Sequence, residues 1–478
     1  MSTPLPKASS HAELETGHQA TRRLAIHAAG LRYEAIPAEL VELTRKCILD
    51  TLGVSIGASS LSPEAGILNQ YVKGLGGRPE SSVLGFGGQV PASAAALING
   101  SLGHMLDYDD VCNPGHVSIA TVPLAFALAE KRGGVSGREF IAAIVAGTDL
   151  MTRLESGITL SDWKTGEGWF ATQLLGFFAG AATASRLLRL NADQTENALG
   201  IGFNQMSGSY QMAVGASTHM RSMQAGFCGQ GSVLAAELAE LGIIGSKDVL
   251  EGRYGFFKTY VRDRSPNWNG VLAGLGTEFP LLKIHGFKVW PACNHTRPTN
   301  TAVLDLRTTH GLQPADVEAI TIIGGIGGTQ MLSEPIDSKR RPRSSIDAKF
   351  SIPFTTGIMM AKGKVSLRDY TAEGLNDPDI LAMADKVSYR PALPEEKAFP
   401  APIIEIRTRD GRTLRAQADA FPGSASRPVD RHFIEGKFRD CVSFSEKPIA
   451  QANIDRAIAL AWRLEDADDV SELIRLLV

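Results

Sequence analysis

Apolar segments with helical spacing follow one another up to about residue 275, and this feature constrains the fold more than any other. Such segments begin near Pro37, Pro91, Thr121, Gly137, Phe177 and Gln230. Alanine, glycine and serine fill many of their positions, and glycine reaches 49 of 478 residues in the whole chain. Because small side chains let helices approach closely, the pattern predicts a compact multi-helix domain rather than a loose bundle.

The pattern changes after about residue 280, where strand signals begin. Val317–Ile323 alternates apolar and polar residues, and Ile403–Ala416 has the form of a β-hairpin with an Asp-Gly turn. Helical stretches at Phe350–Met360 and Pro378–Val387 lie between them. Mixed signals of this kind predict an α+β unit.

Helical spacing returns from Asp430 to the end of the chain. Helices at both ends of the chain, on either side of the α+β unit, predict a discontinuous helical domain of residues 1–277 and 420–478. Residues 278–419 then form a smaller, lid-like α+β domain. The predicted fold class is mostly α.

Charge and cysteine content exclude several classes of protein. Lysine and arginine number 48 against 51 acidic residues, a net charge of −3, so a general nucleic-acid binder is not expected. The five cysteines have no C-x-x-C spacing, which argues against zinc ribbons, iron–sulfur sites and a disulfide framework. With a polar start and no stretch of membrane-spanning length, we expect a cytoplasmic protein that does not bind membranes.

The densest polar cluster lies within HMLDYDD and the residues that follow it. On a helix or its last turn, His104, Asp107 and Asp110 would share one face, and a carboxylate beside an imidazole tunes a histidine base. His116 opens an apolar segment, from which a helix N-terminus would help to hold an anion. Two alternatives stay open: a helix end with solvated carboxylates, and a magnesium site built on Asp107, Asp109 and Asp110.

A second cluster lies between Phe279 and Leu304, a stretch without aspartate or glutamate. Its cations, histidines and thiol are Lys283, His285, Lys288, Cys293, His295 and Arg297. Cations without local counter-charge suit an anion such as a carboxylate or phosphate, although a solvated basic loop has the same composition. Cys293 could serve as an acid or a nucleophile, or simply pack.

Two further cations stand in unusual surroundings. Arg221 lies among small helical residues, and Lys349 lies within the apolar AKFSIPF. Both are candidates for binding the same anion; the alternative is a surface position with a snorkelling side chain.

Several motifs together resemble one known family. NGSLGHMLDYDD, GHVSIATVPLAFALAE, LNADQTENALGIG, KVWPACNHTR, AKFSIPFTTGIMMAKGKV and EGKFRDCVSFS resemble the MmgE/PrpD family in order and spacing, from about residue 20 to 450. That family includes 2-methylcitrate dehydratase, cis-aconitate decarboxylase and iminodisuccinate epimerase. The resemblance implies a large helical domain made from both chain ends, an α+β lid, a homodimer with the active site between domains, and metal-independent chemistry without a cofactor.

Carried over position by position, the resemblance also implies roles for individual residues. Asp107 and His116 match active-site positions of the family, and His104 belongs to the same block. Lys288 and Cys293 match the motif of the lid domain.

The chain departs from the family pattern at four positions. Phe170 and Arg297 stand where members often have histidine, although His295 lies near the second position. Arg221 replaces a lysine and Phe354 a tyrosine. These changes remove groups that transfer protons and add permanent cations, and arginine clamps carboxylates well. The losses at Phe170 and Phe354 shift the balance slightly toward an isomerase.

The sequence therefore predicts a cofactor-independent, dehydratase-like lyase acting on a small di- or tricarboxylate, with proton transfer next to a carboxylate. His116 would be the general base or acid, oriented by Asp107 and His104. The predicted substrate-binding residues are Arg221, Lys288, Arg297, Lys349, His295 and Cys293. The alternatives are an epimerase of an aminodicarboxylate, a magnesium-dependent helical enzyme, and a family member that binds its ligand without catalysis.

Overall fold

The computed structural model describes residues 17–112, 115–158, 168–213, 218–261, 266–394 and 400–478. Most of them are helical. The longer α-helices are Ala20–Gly30, Ala38–Leu61, Pro63–Gly74, Ala92–Met105, Val122–Arg132, Gly137–Gly157, Ala171–Leu187, Ala192–Gln205, Met220–Glu240, Arg297–Thr309, Ile352–Lys362, Arg431–Val442 and Gln451–Ala461. Shorter ones are Phe256–Thr259, Trp268–Leu272, Leu281–Ile284, Ile326–Gly328, Ile336–Arg340, Ser345–Lys349, Ala372–Leu375, Pro378–Ala384 and Ser471–Arg475.

In the described residues, the strands form two small sheets. β1 (Ser81–Ser82) and β2 (Gln89–Val90) make an antiparallel pair. The larger sheet has the order β4-β3-β5-β6. Its strands are β3 (Val317–Gly324), β4 (Val387–Pro391), β5 (Ile403–Thr408) and β6 (Thr413–Gln417). β3 runs parallel to β4 and antiparallel to β5, while β5 and β6 form the hairpin that the sequence predicts.

Two hydrophobic cores underlie this arrangement. One joins the N-terminal helices to the C-terminal ones, so that Phe438 and Leu473 share a core with residues of the first 272 positions. The other lies under the larger sheet, where the helix Arg297–Thr309 packs on β5 and β6. The predicted class, a mostly α protein with a discontinuous helical part and a smaller α+β part, is confirmed. The boundaries at residues 277 and 419 stay a prediction.

Small residues do allow close helix contact. In the helix Ala38–Leu61, a Cβ atom at Gly57 would come within 2.7 Å of the carbonyl oxygen of Cys441, and one at Gly53 within 3.0 Å of Phe438. This contact holds the C-terminal helix Arg431–Val442 against the N-terminal part of the chain. None of the helices in the described residues combines the length and the apolar character needed to cross a membrane.

Candidate active site

The helix Ala92–Met105 ends at the acidic motif, and this ending shapes the site. Asp107 adopts a left-handed backbone conformation with φ of 49°, which aspartate tolerates better than most residues. The next residues, Asp109 and Asp110, therefore leave the helical path. The predicted helical face shared by His104, Asp107 and Asp110 is wrong, because the helical spacing stops before the carboxylates begin.

Asp109 lies between two imidazoles in the protein interior. His104 Nδ1 is 3.0 Å from Asp109 Oδ1, and His116 Nδ1 is 2.7 Å from Asp109 Oδ2. The two rings meet edge to face with centroids 4.7 Å apart. Asp109, rather than the predicted Asp107, is thus the carboxylate that orients both histidines.

These contacts fix where each imidazole carries its proton. The Nδ1 atom of His116 also lies 2.9 Å from the carbonyl oxygen of Asp110, so both of its neighbours are acceptors and Nδ1 must be the donor. Burial lowers the pKa of His104 despite the nearby Asp109 charge, which keeps this ring neutral. In each ring the basic nitrogen is then Nε2, and the Nε2 of His104 is buried without a hydrogen-bond partner.

Asp107 pairs with the predicted substrate ligand Lys288. Lys288 Nζ donates to Asp107 Oδ1 at 2.6 Å and to its carbonyl oxygen at 2.9 Å, and lies 3.8 Å from Asp109. Burial would raise the pKa of Asp107, but the positive charges of Lys288 and Arg221 hold it below its usual range. Asp107 Oδ2 is buried and has no partner, so the carboxylate is only half bonded.

Asp110 holds the loop that carries His116. Its carboxylate accepts a hydrogen bond from Ser118 and lies 2.7 Å from His285 Nε2. The backbone N–H of His116 donates to Thr172 Oγ1 at 3.2 Å. His116 does not open a helix as predicted: the next helix begins at Val122, and His116 lies in the loop before it. The loop contacts give the imidazole its position without a helix N-terminus.

Two predicted cations border this cluster without forming a salt bridge in the described parts of the chain. Lys349 is buried, and its Nζ has one long contact, 3.5 Å to the carbonyl oxygen of Met105. Burial lowers the pKa of Lys349 to about 8. The Arg221 guanidinium lies 3.9 Å from the ring centre of Phe350 and 5.5 Å from that of Phe170. Phe170, together with Phe350, therefore contacts the Arg221 guanidinium through the face of its ring.

Cys293 and His295 lie beside these cations. The backbone N–H of Cys293 donates to the carbonyl oxygen of Lys349 at 3.1 Å, which links the two segments. Burial raises the pKa of the Cys293 thiol to about 11, so it is a poor nucleophile. Burial, together with the charge of Arg221, lowers the pKa of His295 to about 4 and leaves that ring neutral.

Arg297 is used differently from the prediction. It is buried, and its nitrogens donate to Asn294 Oδ1 at 2.8 Å and to the carbonyl oxygens of Phe287 at 3.0 Å and Pro422 at 2.8 Å. Its guanidinium also lies 4.3 Å from the ring centre of Phe421. These contacts join two loops of the protein. The guanidinium of Arg297 therefore holds the fold here and does not have the predicted role of binding a substrate carboxylate.

Sequence reasoning missed one supporting pair. Lys437 Nζ lies 2.7 Å from Asp50 Oδ1 and donates to the carbonyl oxygens of Tyr108 at 2.6 Å and Lys288 at 3.1 Å. It therefore fixes the backbone on both sides of the Asp107–Lys288 pair. The signal was present, since Lys437 belongs to the quoted motif EGKFRDCVSFS.

Metal binding can be considered at two places. The groups His104, Asp109, His116 and Cys47, Asp110, His285 each offer ligand atoms within 4.8 Å of one another. In the first group the bonded atoms are 2.7 and 3.0 Å apart, hydrogen-bond distances between N–H donors and a carboxylate. The three aspartates of the magnesium alternative form no such group in the described residues, because each has other partners.

Two family profiles match the chain. The MmgE/PrpD N-terminal domain matches residues 22–269, and the MmgE/PrpD C-terminal domain matches residues 290–464. The resemblance drawn from the motifs is therefore confirmed over most of the sequence.

Relatives match along nearly their whole length. Cis-aconitate decarboxylase of Homo sapiens is 27% identical in an alignment of 467 positions that covers 95% of this chain and 93% of the relative. The Aspergillus terreus protein of the same name is 24% identical in an alignment of 499 positions, gaps included, that covers 99% of this chain and 98% of the relative. The mitochondrial 2-methylcitrate dehydratase of Yarrowia lipolytica is 23% identical in an alignment of 466 positions that covers 90% of this chain and 87% of the relative. Together with the two matching domains, the fold and the motif residues show that this chain belongs to the MmgE/PrpD family.

Proposed function

We propose that this protein is a cofactor-independent lyase that acts on a small di- or tricarboxylate by transferring a proton at the carbon next to a carboxylate. One observation supports it above all: two buried imidazoles share Asp109 and keep Nε2 as their basic nitrogen, beside two cations, Lys349 and Arg221, that form no salt bridge in the described residues. A proton-transfer group and unpaired cations are what the chemistry of a carbon acid next to a carboxylate requires.

The residues divide into two roles. His116 Nε2 removes or delivers the proton, with Asp109 fixing the ring and stabilising its positive charge. Lys349 and Arg221 bind the carboxylates of the substrate and stabilise the charge that develops on them. Lys288 and Asp107 neutralise each other and keep the site in one arrangement. The names of the relatives denote a decarboxylase and a dehydratase, which are lyases, and this agrees with the proposal.

A single assay tests the proposal. Citrate-like and aconitate-like tricarboxylates and aminodicarboxylates are incubated with the protein in deuterated water containing excess EDTA, and the products are identified by NMR. We expect one of two outcomes: release of carbon dioxide, with a solvent deuteron on the carbon that lost it, or release of water, with deuterium exchanged into the substrate at the carbon next to a carboxylate. His116→Gln should abolish this activity, whereas His310→Gln, at an exposed histidine, should not.

Other outcomes would assign other functions. Inversion of a centre without loss of any group would make the protein the predicted epimerase, and ligand-induced stabilisation without exchange would make it a binding protein. Loss of activity in EDTA would contradict the metal-free chemistry. The homodimer and the cytoplasmic location stay predictions.

A further inference from the structure

Tyr370 carries a buried hydroxyl that nothing in the chemistry above uses. It ends the 3₁₀ turn Leu367–Tyr370, its side chain is 5% exposed, and its Oη is buried without a hydrogen-bond partner among the described residues. Buried tyrosine hydroxyls are normally bonded, and even that of the half-buried Tyr389 donates to the carbonyl oxygen of Gly325 at 2.7 Å. An unmet donor of this kind is free to bond a ligand if one reaches it.

The surroundings of Tyr370 locate that partner in the candidate active site. Lys349 Nζ lies 5.5 Å from the Tyr370 ring centre. The ring of Phe354 lies 6.5 Å away and offers no hydroxyl. Burial raises the pKa of Tyr370 well above its usual value, and the charges of Asp369 and Asp107 add to this, so the phenol keeps its proton and remains a donor.

The neighbouring acid is not the missing partner. Asp369 accepts hydrogen bonds from Lys362 at 2.8 Å and from Ser366 at 2.7 and 2.8 Å, so its carboxylate is already engaged. Asp107 has one free oxygen, but it already pairs with Lys288. Lys349 Nζ, 5.5 Å from the Tyr370 ring centre, and Tyr370 Oη are therefore two buried donors on neighbouring side chains, and neither forms a salt bridge or a short hydrogen bond among the described residues.

We propose that Tyr370 Oη and Lys349 Nζ together bind one carboxylate of the substrate, with the phenol donating a hydrogen bond and the amine supplying the charge. This inference rests on the carboxylate substrate of the proposed function. The pair lies in the α+β part of the chain, whereas the imidazoles lie in the helical part. A bound carboxylate would therefore connect the two parts of the protein across the site.

The test is Tyr370→Phe, which removes only the hydroxyl. A hydrogen bond to a charged group is worth about 1.5–3 kcal/mol, so the dissociation constant of tricarballylate, a non-reacting tricarboxylate, should rise about 10- to 100-fold. The KM of the substrate should rise similarly. The melting temperature of the unliganded protein should stay the same or increase, because an unbonded buried hydroxyl has been removed.

Tyr389→Phe is the matched control. Its hydroxyl is bonded to the protein, so the variant should lose stability and keep its affinity for tricarballylate. Unchanged affinity and KM in Tyr370→Phe would overturn the inference, and so would a loss of unliganded stability with unchanged affinity. If wild-type protein binds tricarballylate more tightly than Tyr370→Phe but shows no turnover, the proposed lyase function fails and this inference stands. If the wild-type protein turns over its substrate and Tyr370→Phe has the same KM, the lyase function stands and this inference fails. If the wild-type protein shows neither tricarballylate binding nor turnover, the lyase function and this inference both fail.

Discussion

Among the buried histidine–aspartate clusters in the described residues, two in the helical part of the molecule use similar residues for different purposes. In the first, Asp149 Oδ2 lies 2.8 Å from His27 Nε2 and accepts a hydrogen bond from Arg153 Nε at 2.8 Å. Arg153 donates its remaining hydrogen bonds to backbone carbonyl oxygens, including those of Ala273 at 2.7 Å and Gly274 at 3.2 Å. The Asp149 carboxylate is paired with the Arg153 guanidinium, and the hydrogen bonds of Arg153 hold its helix against the segment that contains Ala273 and Gly274.

The second cluster, around Asp109 in the candidate active site, differs in how its charges are paired. Asp107 and Asp109 face Lys288, while Lys349 and Arg221 form no salt bridge in the part of the chain that the structure describes. Two of the three cations named here thus lack a carboxylate partner. A buried ionic cluster therefore stabilises the fold when its charges are paired internally, and can bind an anion when cations are left unpaired.

The largest effect should come from Asp109→Asn. An amide of the same size cannot accept hydrogen bonds from both imidazoles through two oxygens or stabilise their charge, so turnover should fall by about 10²- to 10⁴-fold. The measurement is kcat on the substrate found in the deuterium assay, with unfolding in urea as the check on folding. Asp419→Asn, at an exposed aspartate, is the control. Turnover within threefold of wild type would remove Asp109 from the mechanism.

The equivalent change in the other cluster should act on stability instead. Asp149→Asn leaves the buried Arg153 without its counter-charge, which should lower the free energy of unfolding by about 3–5 kcal/mol. The kcat of the protein that remains folded should be close to wild type. Urea unfolding followed by circular dichroism gives the first number and steady-state kinetics at low temperature the second. A large loss of kcat with normal stability would erase the distinction between the clusters.

Much of the fold could be predicted from the sequence because its signals are local. The helical spacing before Met105, the alternation in Val317–Ile323 and the Asp-Gly turn of the hairpin each act over a few residues. The order of these signals along the chain, helical, then mixed, then helical again, predicts that the helical part is made from both chain ends.

The site was predictable in its residues and less so in their pairing. His104 and His116 were found, but the spacing favoured Asp107 as their partner, and the left-handed turn at Asp107 gives that place to Asp109. Arg297 shows the same limit: its charge was visible in the sequence, whereas its carbonyl partners come from distant loops. Pairing depends on long-range packing that no local pattern encodes.

Lys349→Met should have a smaller effect, directed at binding. Losing one charged hydrogen bond to the substrate should raise KM about 10- to 100-fold with a lesser change in kcat. Because burial lowers the pKa of Lys349 to about 8, the amine is charged below that pH, and the wild-type KM should rise as the pH passes 8. In Lys349→Met this rise should be absent. Lys364→Met, at an exposed lysine, should behave like wild type, and an equal KM in both variants would show that Lys349 does not bind the substrate.

Glu155 links the two clusters and should give the smallest effect. It lies on the same helix as Asp149 and Arg153, and its carboxyl packs against Gly115, where even a Cβ atom would come within 2.3 Å of Oε1. Gly115 immediately precedes His116. Burial, with the charge of Asp110 adding to it, raises the pKa of Glu155 from near 4.5 to about 8.

The sign of the resulting pH dependence follows from proton binding. Between about pH 4.5 and 8 the native protein keeps the Glu155 proton that the unfolded chain has lost, so the free energy of unfolding should fall as the pH rises through this window and level off above it. The slope from one such group is at most ~1.4 kcal/mol per pH unit. Glu155→Gln stays neutral throughout and should be less sensitive to pH by that amount between pH 6 and 8, while Glu240→Gln, at an exposed glutamate, should not differ from wild type. If the free energy of unfolding, measured in urea, changed with pH equally in wild type and Glu155→Gln, Glu155 would already be ionised in the native protein. The loop carrying His116 would then lie next to a buried charge instead of a neutral acid.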